Sequence, residues 1–471
     1  MDDHAPLLEH AFTLAPQEQS YVIDDIEGEL PSFIHGNYYL NGPARFTQGH
    51  LHYRHWLDGD GMVCTLRFEK GQVRFANRYV RSHKFTAEAE AGQPLFRAFG
   101  TGFEGDRMKR GIALESPINV SAYTYGDTLL AFGEQGLPWE LDPVTLETRG
   151  VYTFGGRLNE VSPFSAHPKR DPRTGEMFNF GIAFSARNPQ LHIYRFAANG
   201  QLDYRKRLRI DYPCSIHDCT LSPSYVVLYL SPYLLDMAAM LEEGKTLMDA
   251  LHWAPEHGSQ LCLISRESGE AVARVPIGDR YCLHLINAFE SHQQLVIDVM
   301  EYEQPIYDMY HTIPDLFTDV REACPVRFRL DLSQPTKVER QELAPQLFPD
   351  FPALDTRSLT QPYNDFWMLS MEAPKAPGRK FFNQLLHLAW HDDAGDVYRA
   401  PQMCYLGGEP VFIGHPETST TGVILCQVFN AERMRGAFAL FDAFHVNRGP
   451  IAVLRLREPI PLLFHACFQR R

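Results

Sequence analysis

The sequence predicts an all-β fold, and the spacing of its strand-like segments favours a propeller. Strand-like runs joined by tight turns recur from near residue 62 to near residue 456, among them MVCTLRFEKGQVRFANRYV, LHIYRFAANGQLDYRKRLRI and QLCLISRESGEAVARVPI. Their β-branched and aromatic residues flank turns that contain Gly, Asn, Asp or Pro, which is typical of β-hairpins. Many hairpins separated by longer loops favour a propeller or a very large sandwich over βαβ units. At roughly 45 to 70 residues per blade, residues 1–471 accommodate about seven blades in a single domain.

One segment departs from the strand pattern. Residues 231–258, SPYLLDMAAMLEEGKTLMDALHWAPEHG, space their apolar side chains as amphipathic helices do. The segment is therefore predicted to be a helical insertion. It either packs over the sheets or presents an apolar surface that contacts a bilayer and collects a lipophilic substrate from it.

Composition and charge exclude several classes of protein. The chain is 44% hydrophobic and 22% charged, as soluble globular proteins are, and its formal net charge of -14 would repel a phosphate backbone. Nucleic acid is therefore not an expected partner. The N-terminal segment MDDHAPLLEHAFTLAPQEQS lacks the basic and apolar regions of a signal peptide, and no apolar run is long enough to span a bilayer. These features predict a cytoplasmic protein.

The cysteines indicate buried reduced thiols. All nine lack a CxxC partner, and most lie in apolar strand-like runs. Cys214 and Cys219 flank His217, but the pattern disfavours a thiolate metal site.

Four of the twenty histidines occupy unusual positions. A histidine beside a strand is usually packed in the core or lies at the surface, but His167 precedes a charged turn and His217 begins a strand. His284 interrupts an apolar run, and His465 lies in an apolar segment at the C-terminus. A propeller directs successive blades toward one axis, so one inward histidine per blade can surround a single ion. Imidazoles suit Fe(II), Zn, Cu and Ni, so the ligands alone leave the metal open.

Several motifs in a fixed order carry a resemblance to a known family. They are GNYYLNGPARF, HWLDGDGMV, FGEQGLPWELDPVTLETRG, AHPKRDPRTGEMF, IHDCTLSPSYVVL, LHLINAFE, GEPVFI and the terminal FHA. With these motifs the chain resembles the carotenoid cleavage oxygenases over nearly its whole length. The resemblance implies a seven-bladed propeller with a cap of helices and loops over its top face. It also implies an Fe(II) ion on the axis, held by His167, His217, His284 and His465.

The resemblance further implies carboxylates behind the histidines. By motif position these are Glu134, Asp350 and Glu409, each accepting a hydrogen bond from an imidazole and so fixing its tautomer. Asp350 stands where the family pattern has a glutamate. Its shorter side chain is expected to miss its histidine or to reach it through a water. No side chain is assigned as a general acid or base.

The activity that the resemblance implies is oxidative cleavage of a conjugated double bond by O₂, giving two carbonyl products. The polyene supplies electrons, so no reducing co-substrate is needed. The reaction requires an apolar tunnel, and Tyr123, Trp139 and Phe289 are candidates for its wall, with core packing as the alternative for each.

The substrate class and the reaction retain alternatives. Family members that cleave hydroxylated stilbenes place a lysine immediately before the motif glutamate, where this chain has Gly133. The missing cation favours a carotenoid or an apocarotenoid. Cleavage of a stilbene or phenylpropanoid, isomerohydrolysis of a retinoid ester, a metallohydrolase and a non-enzymatic binding propeller remain the other hypotheses. Peripheral contact with a membrane through an apolar patch is a further expectation.

Overall fold

Seven antiparallel sheets form the body of the protein. The computed structural model describes residues 4–110, 113–185, 188–311, 315–343 and 347–471. Each of the seven sheets has four or five strands, and three two-stranded sheets lie outside them. The predicted seven-bladed propeller is confirmed.

The N-terminal third of the chain supplies most of the first sheet, all of the second sheet and one strand of the seventh. The elements are α1 (Glu9–Thr13), β1 (Gln19–Val22), β2 (Ile26–Gly28), β3 (Gly36–Arg45), β4 (Thr47–Gln48), β5 (Leu51–His52), β6 (Asp60–Glu69), β7 (Gln72–Tyr79), α2 (His83–Ala91), β8 (Lys109–Arg110), β9 (Ala113–Leu114), β10 (Ser121–Tyr125), β11 (Thr128–Phe132), β12 (Trp139–Leu141) and β13 (Thr148–Val151).

The third, fourth and fifth sheets follow one another along the chain. Their elements are β14 (Lys169–Arg170), β15 (Met177–Ala183), β16 (Gln190–Phe196), β17 (Leu202–Arg209), β18 (Thr220–Leu221), β19 (Tyr225–Leu230), β20 (Tyr233–Leu235), α3 (Met237–Leu241), β21 (Leu251–Trp253), β22 (Ser259–Ser265), β23 (Ala271–Gly278), β24 (Tyr281–Ser291), β25 (Gln294–Tyr302), β26 (Ala323–Asp331) and β27 (Gln334–Glu342).

The sixth and seventh sheets complete the ring. The remaining elements are β28 (Asp350–Ala353), β29 (Asp365–Ser370), β30 (Gln384–Ala389), β31 (Asp392–Arg399), β32 (Cys404–Gly414), β33 (Gly422–Asn430), β34 (Arg435–Asp442), β35 (Pro450–Arg455) and β36 (His465–Arg470). Single 3-10 turns lie at Trp56–Asp58, Pro255–His257, Tyr307–Tyr310, Thr356–Ser358 and Val446–Arg448.

The two ends of the chain close the ring. The first sheet has the order β1-β7-β6-β3-β36, so the last strand of the chain pairs with one of the first. The seventh sheet has the order β2-β35-β34-β33-β32, in which an N-terminal strand forms the outer edge. Closure therefore depends on pairs between residues more than 400 positions apart, such as Gly36 with Arg470.

The innermost strands are buried, as their sequences indicate. In β24 the nine residues from Tyr281 to Phe289 are all buried. A continuous apolar run is what a strand covered on both faces requires. Apolar residues of adjacent sheets pack between the blades, as Leu228 and Leu191 do in one cluster and Leu263 and Leu285 do in the next.

A cap covers the end of the propeller at which His465 lies. The buried ring of Trp56 contacts Phe464 at a centroid distance of 4.5 Å and Phe381 at 5.3 Å. Tyr310 also packs against Trp56, at a ring-centroid distance of 5.6 Å. Phe12, which lies in α1, does so at 6.4 Å. These contacts join five separate parts of the chain into one cover over this end of the sheets.

The insertion at residues 231–258 is less helical than its apolar spacing predicts. It contains one five-residue helix, α3, and a two-stranded sheet in which Tyr233 pairs with Trp253. Asp236 caps α3 by accepting hydrogen bonds from the backbone of Ala238 and Ala239. Shortly after α3, Gly244 has a positive φ of 73° that a continued helix does not allow.

None of the helices among the described residues is long and apolar enough to cross a bilayer.

Candidate metal centre

Four histidines from four blades converge at the inner edges of the sheets. His167 and His217 lie just before β14 and β18, His284 lies within β24, and His465 begins β36. All four are buried, and one ring nitrogen from each lies within 4.8 Å of the others. The residues predicted to share a metal ion are thus brought together.

Irregular strand pairing accompanies the inward direction of these side chains. The register of β24 shifts on both sides of Leu285, next to His284. The register of β32 shifts between Gly407 and Val411, around Glu409. Bulges turn a side chain out of the regular alternation of a strand, so they can direct polar groups toward the axis.

Carboxylates contact three of the imidazoles directly. The Nδ1 atom of His217 lies 2.9 Å from Oε1 of Glu134, and that of His465 lies 3.3 Å from Oε2 of Glu409. With Nδ1–H donating to a carboxylate, Nε2 keeps its lone pair for a metal ion.

Asp350 also reaches its histidine without an intermediary. Its Oδ1 lies 2.6 Å from Nδ1 of His284, so the shorter side chain neither misses the imidazole nor needs a water. Asp350 begins β28, and the next residue, Phe351, has a positive φ of 55°. The same Oδ1 accepts a hydrogen bond from the backbone N–H of Phe351. This bend accompanies the direct contact of Asp350 with His284.

The four imidazoles fit a single metal ion. Two opposite ligands at a metal–nitrogen distance of about 2.1 Å stand about 4.2 Å apart, close to the largest separation within the cluster. Nε2 of His284 is buried and has no hydrogen-bond partner among the described residues, and Nε2 of His167 lies 2.8 Å from Nε2 of His217. A cation between these nitrogens would satisfy their lone pairs together.

Burial and neighbouring charges set the pKa values of the cluster. Burial lowers the pKa of His167 well below its ordinary value, and the adjacent imidazoles lower it further. Burial also lowers the pKa of His465, although Glu409 acts in the opposite direction. For His284 burial favours a lower pKa, but Asp350 outweighs it and the pKa is raised. His167 and His465 are therefore neutral at pH 7, as metal ligands must be.

Three polar residues near the cluster were not found by sequence reasoning. Asp218 lies 3.8 Å from Nδ1 of His167, and the ammonium group of Lys169 lies 2.9 Å from Asp218. The hydroxyl of Tyr307 lies 3.4 Å from Nδ1 of His217. Asp218 lies next to His217 in the sequence, and Lys169 lies two residues after His167. A charged residue so close to a predicted ligand and to the start of an inner strand could have indicated a role near the metal site. For Tyr307 no local signal exists, because it comes from a loop 90 residues away.

A largely apolar cavity of about 420 Å³ adjoins the cluster. Glu134, whose Oε1 contacts His217, lines the cavity together with Met237, Met240 and Leu241 of α3. Val161 and Leu241, which are 50% and 53% exposed, bring the cavity to the surface. The insertion at residues 231–258 therefore contributes to the wall of this cavity.

The three aromatic candidates for a tunnel wall lie elsewhere among the described residues. Tyr123 on β10 packs against Phe132, and Trp139 on β12 packs against His83. Phe289 on β24 packs against Tyr363. These residues pack between or beside strands, whereas the wall of the cavity combines loops and α3 with residues of α2, β15 and β20. Local sequence patterns do not reveal that these segments meet.

The fold and the cluster together define a β-propeller with a buried four-histidine metal-binding site. The family model described as retinal pigment epithelial membrane protein matches residues 12–470. The chain belongs to this family, that of the carotenoid cleavage oxygenases, as the motifs predicted.

Curated relatives of the chain are oxygenases by name. The chain is 27% identical to apocarotenoid-15,15'-oxygenase of Synechocystis sp., covering 96% of this chain and 93% of the relative. It is 26% identical to isoeugenol monooxygenase of Pseudomonas nitroreducens, covering 95% and 94%. It is 28% identical to resveratrol cleavage oxygenase 1 of Aspergillus fumigatus, covering 92% and 90%.

Solved structures agree with the fold. A threonine-to-alanine variant of the Synechocystis apocarotenoid oxygenase matches with a TM-score of 0.91 at 26% identity, over 100% of both chains. The cobalt-substituted form of that oxygenase matches with a TM-score of 0.90 at 26% identity, over 99% of this chain and 98% of the other.

Proposed function

We propose that this protein is a non-haem Fe(II) dioxygenase that cleaves a conjugated double bond of an apocarotenoid or carotenoid into two carbonyl products. The observation that carries the proposal is the buried set of four imidazoles, three of them bonded to carboxylates, next to a largely apolar cavity. His167, His217, His284 and His465 would hold the Fe(II), and the ion would supply the redox chemistry that O₂ needs to react with an electron-rich double bond.

The residues of this chain position the reactants. Glu134, Asp350 and Glu409 hold three imidazoles in the tautomer that leaves Nε2 free. The apolar wall formed by α3 and the neighbouring loops excludes water and binds a hydrophobic chain in an extended form.

The polar groups of the cavity favour a polyene over a phenolate. A Cβ added to Gly133 would lie 1.9 Å from Oγ of Ser116, so the direction a lysine would take is already filled. Two cationic residues, Lys84 and Arg97, are among the described residues that line the cavity. Lys84 forms ion pairs with Asp60 and Glu88, and Arg97 forms one with Asp106. These cations are neutralised by carboxylates, which supports a substrate without an anionic ring oxygen.

The mouth of the cavity supports uptake of a lipophilic substrate from a surface. Val161 and Leu241 expose apolar side chains where the cavity opens. We propose that this mouth contacts a membrane peripherally and that the protein acts on its cytoplasmic side.

The test is metal analysis of the purified protein, then anaerobic loading with Fe(II) and exposure to O₂ with an apocarotenal, a stilbene and a retinyl ester in separate reactions. We expect near-stoichiometric iron and paired carbonyl products from the apocarotenal, identified by mass. Paired products from the stilbene alone would contradict the proposed apocarotenoid substrate and favour phenolic substrates. Retinol formed from the ester without uptake of O₂ would overturn the assignment as a dioxygenase.

A matched pair of histidine variants isolates the metal site. His217→Ala is expected to lose iron and turnover, whereas His192→Ala is expected to keep both. His192 is equally buried but lies on β16 and bonds to Arg205. Equal iron content in both variants would contradict the proposed metal centre. It would favour the hypothesis of a non-enzymatic binding propeller.

A further inference from the structure

His167 differs from the other three imidazoles in its outer contact. Those of His217, His284 and His465 have a carboxylate oxygen 2.6 to 3.3 Å from Nδ1. The nearest carboxylate oxygen to Nδ1 of His167 belongs to Asp218 and is 3.8 Å away. This distance is too long for a hydrogen bond.

Other groups hold the Asp218 carboxylate. Its Oδ1 lies 2.9 Å from Nζ of Lys169 and accepts the backbone N–H of Cys219 at 2.7 Å. Its Oδ2 accepts the backbone N–H of Leu285 at 2.9 Å. Asp218 is buried, so these donors replace water around its charge.

Lys169 is placed to neutralise this carboxylate. It begins β14 two residues after His167, and its side chain is largely buried. Among the described residues, no other Lys or Arg forms an ion pair with Asp218. The negative charge of Asp218, the carboxylate nearest to His167, is therefore balanced by the ammonium group of Lys169. The carboxylates of Glu134, Asp350 and Glu409 instead contact imidazoles directly.

We propose that Lys169 positions the Asp218 carboxylate away from His167 and thereby keeps the bound iron divalent. This inference rests on the iron site of the proposed function. A carboxylate that accepts from an imidazole makes that ligand a stronger donor, and a stronger donor with added negative charge favours Fe(III) over Fe(II). Loss of the Lys169 charge would leave Asp218 uncompensated beside His167, so the ferric form would gain stability.

The experiment measures the Fe(III)/Fe(II) midpoint potential of the iron-loaded protein by spectroelectrochemical titration. In Lys169→Met we expect the preference for Fe(III) over Fe(II) to rise at least tenfold, which lowers the potential by about 59 mV for one electron. Lys169→Arg retains the charge and is expected to stay near the wild-type value. Arg170→Met removes a positive charge from the next residue, which has no ion pair with Asp218 among the described contacts, and is expected to leave the potential near that of the wild type.

Two further variants keep the test decisive if Lys169→Met does not fold. Asp218→Asn leaves Lys169 unpaired and is expected to raise the potential. The double variant Lys169→Met with Asp218→Asn removes both charges and is expected to return close to the wild type. Equal potentials in the wild type, the single variants and the double variant would overturn the inference, as would an equal shift in Arg170→Met.

The outcome is separable from that of the proposed function. A wild-type protein that binds no iron contradicts the proposed function itself. A wild-type protein with a reversible iron couple, together with unshifted variants, contradicts only the role of Lys169 and Asp218.

Discussion

At the residue scale, Glu134 links the metal site to the cavity. Its Oε1 lies at hydrogen-bond distance from His217, and its Oε2 is buried with no hydrogen-bond partner in the part of the chain that the structure describes. The residue also lines the cavity. The carboxylate therefore contacts His217 through one oxygen while the residue also borders the cavity. Its charge matters most for the imidazole, because an anionic acceptor raises the basicity of the metal-binding nitrogen.

Replacement of this carboxylate by an amide tests its role. Glu134→Gln is expected to keep the fold but to lower iron affinity or turnover by about 10- to 100-fold, because an amide oxygen accepts more weakly than a carboxylate. Iron titration and product formation under O₂ measure the two effects. Glu140→Gln is the control, since Glu140 bonds to Arg149 and Thr128 at a distance from the cluster. Equal losses in the two variants would contradict the role of Glu134.

Asp58 is a buried acid outside the metal site. It accepts hydrogen bonds from the backbone N–H of Gly100 at 2.7 Å and from the hydroxyl of Thr101 at 2.5 Å. These hydrogen bonds fix the position of the loop that contains Phe99, which lines the cavity. Burial raises the pKa of Asp58 from 3.8 to about 6, against the lowering effect of these donors.

The raised pKa of Asp58 predicts a pH dependence of stability. The folded protein binds a proton more tightly than the unfolded chain, so the contribution of this group is fully present below pH 4 and is lost as the pH rises through about 6. Relative to Asp58→Asn, the wild type should gain about 2 kcal/mol of unfolding free energy between pH 7.5 and pH 4, because the unfolded carboxyl is itself partly protonated at pH 4. Urea unfolding of both proteins at both pH values measures this difference. A difference that does not change with pH would show that Asp58 titrates normally.

At the element scale, the short helix α3 forms part of the cavity and of its mouth. Met237, Met240 and Leu241 of this helix line the cavity, and Leu241 is more than half exposed. The helix is only five residues long, so packing of residues such as Met240 and Ala239 against Leu235 and Ala250, rather than intrinsic helix propensity, maintains it.

The exposed leucine of α3 provides a test of peripheral membrane contact. Leu241→Asp is expected to weaken binding to neutral phosphatidylcholine vesicles in a flotation assay, because a charged group replaces an apolar one at the mouth. Val272→Asp is the matched control, since Val272 is 55% exposed on β23 and does not line the cavity. Vesicle binding that is unaffected in both variants would contradict contact through the mouth.

At the scale of the whole molecule, the metal site and the closure of the ring share one strand. β36 pairs with β3 over six residue pairs and begins with His465. One blade thus depends on the C-terminus for its innermost strand and also for a metal ligand. Metal binding is therefore expected to stabilise the closed ring.

Removal of residues 465–471 tests this dual role. The truncated protein is expected to lose the metal and to melt at a lower temperature than the metal-free wild type, because β3 loses its partner strand. His465→Ala keeps β36, so it should lose metal affinity while melting close to the metal-free wild type. Calorimetry with iron analysis distinguishes the two variants. Equal melting temperatures for the truncation and for His465→Ala would show that β36 contributes little to closure.

The sequence predicts much of this architecture, for identifiable reasons. Hairpins such as those of β22 with β23 follow from local alternation and turn residues, which act within a few positions. The four histidines stand out by their local context, whereas their carboxylates were assigned by motif order, which reflects the resemblance to a family. The wall of the cavity was not predicted, because it is assembled from separate loops, helices and strands that no short-range pattern relates to one another.

The sequence by itself determined the strand-rich composition, the hairpins and the choice of the four histidines. The tertiary structure decided that residues 231–258 form one short helix and a two-stranded sheet, that Asp350 reaches His284 directly, and that Asp218 lies 2.9 Å from Lys169 but 3.8 Å from His167. The physical reason is distance along the chain. Local patterns specify backbone conformation over a few residues, whereas ångström-scale contacts between blades depend on bulges, loop packing and ring closure.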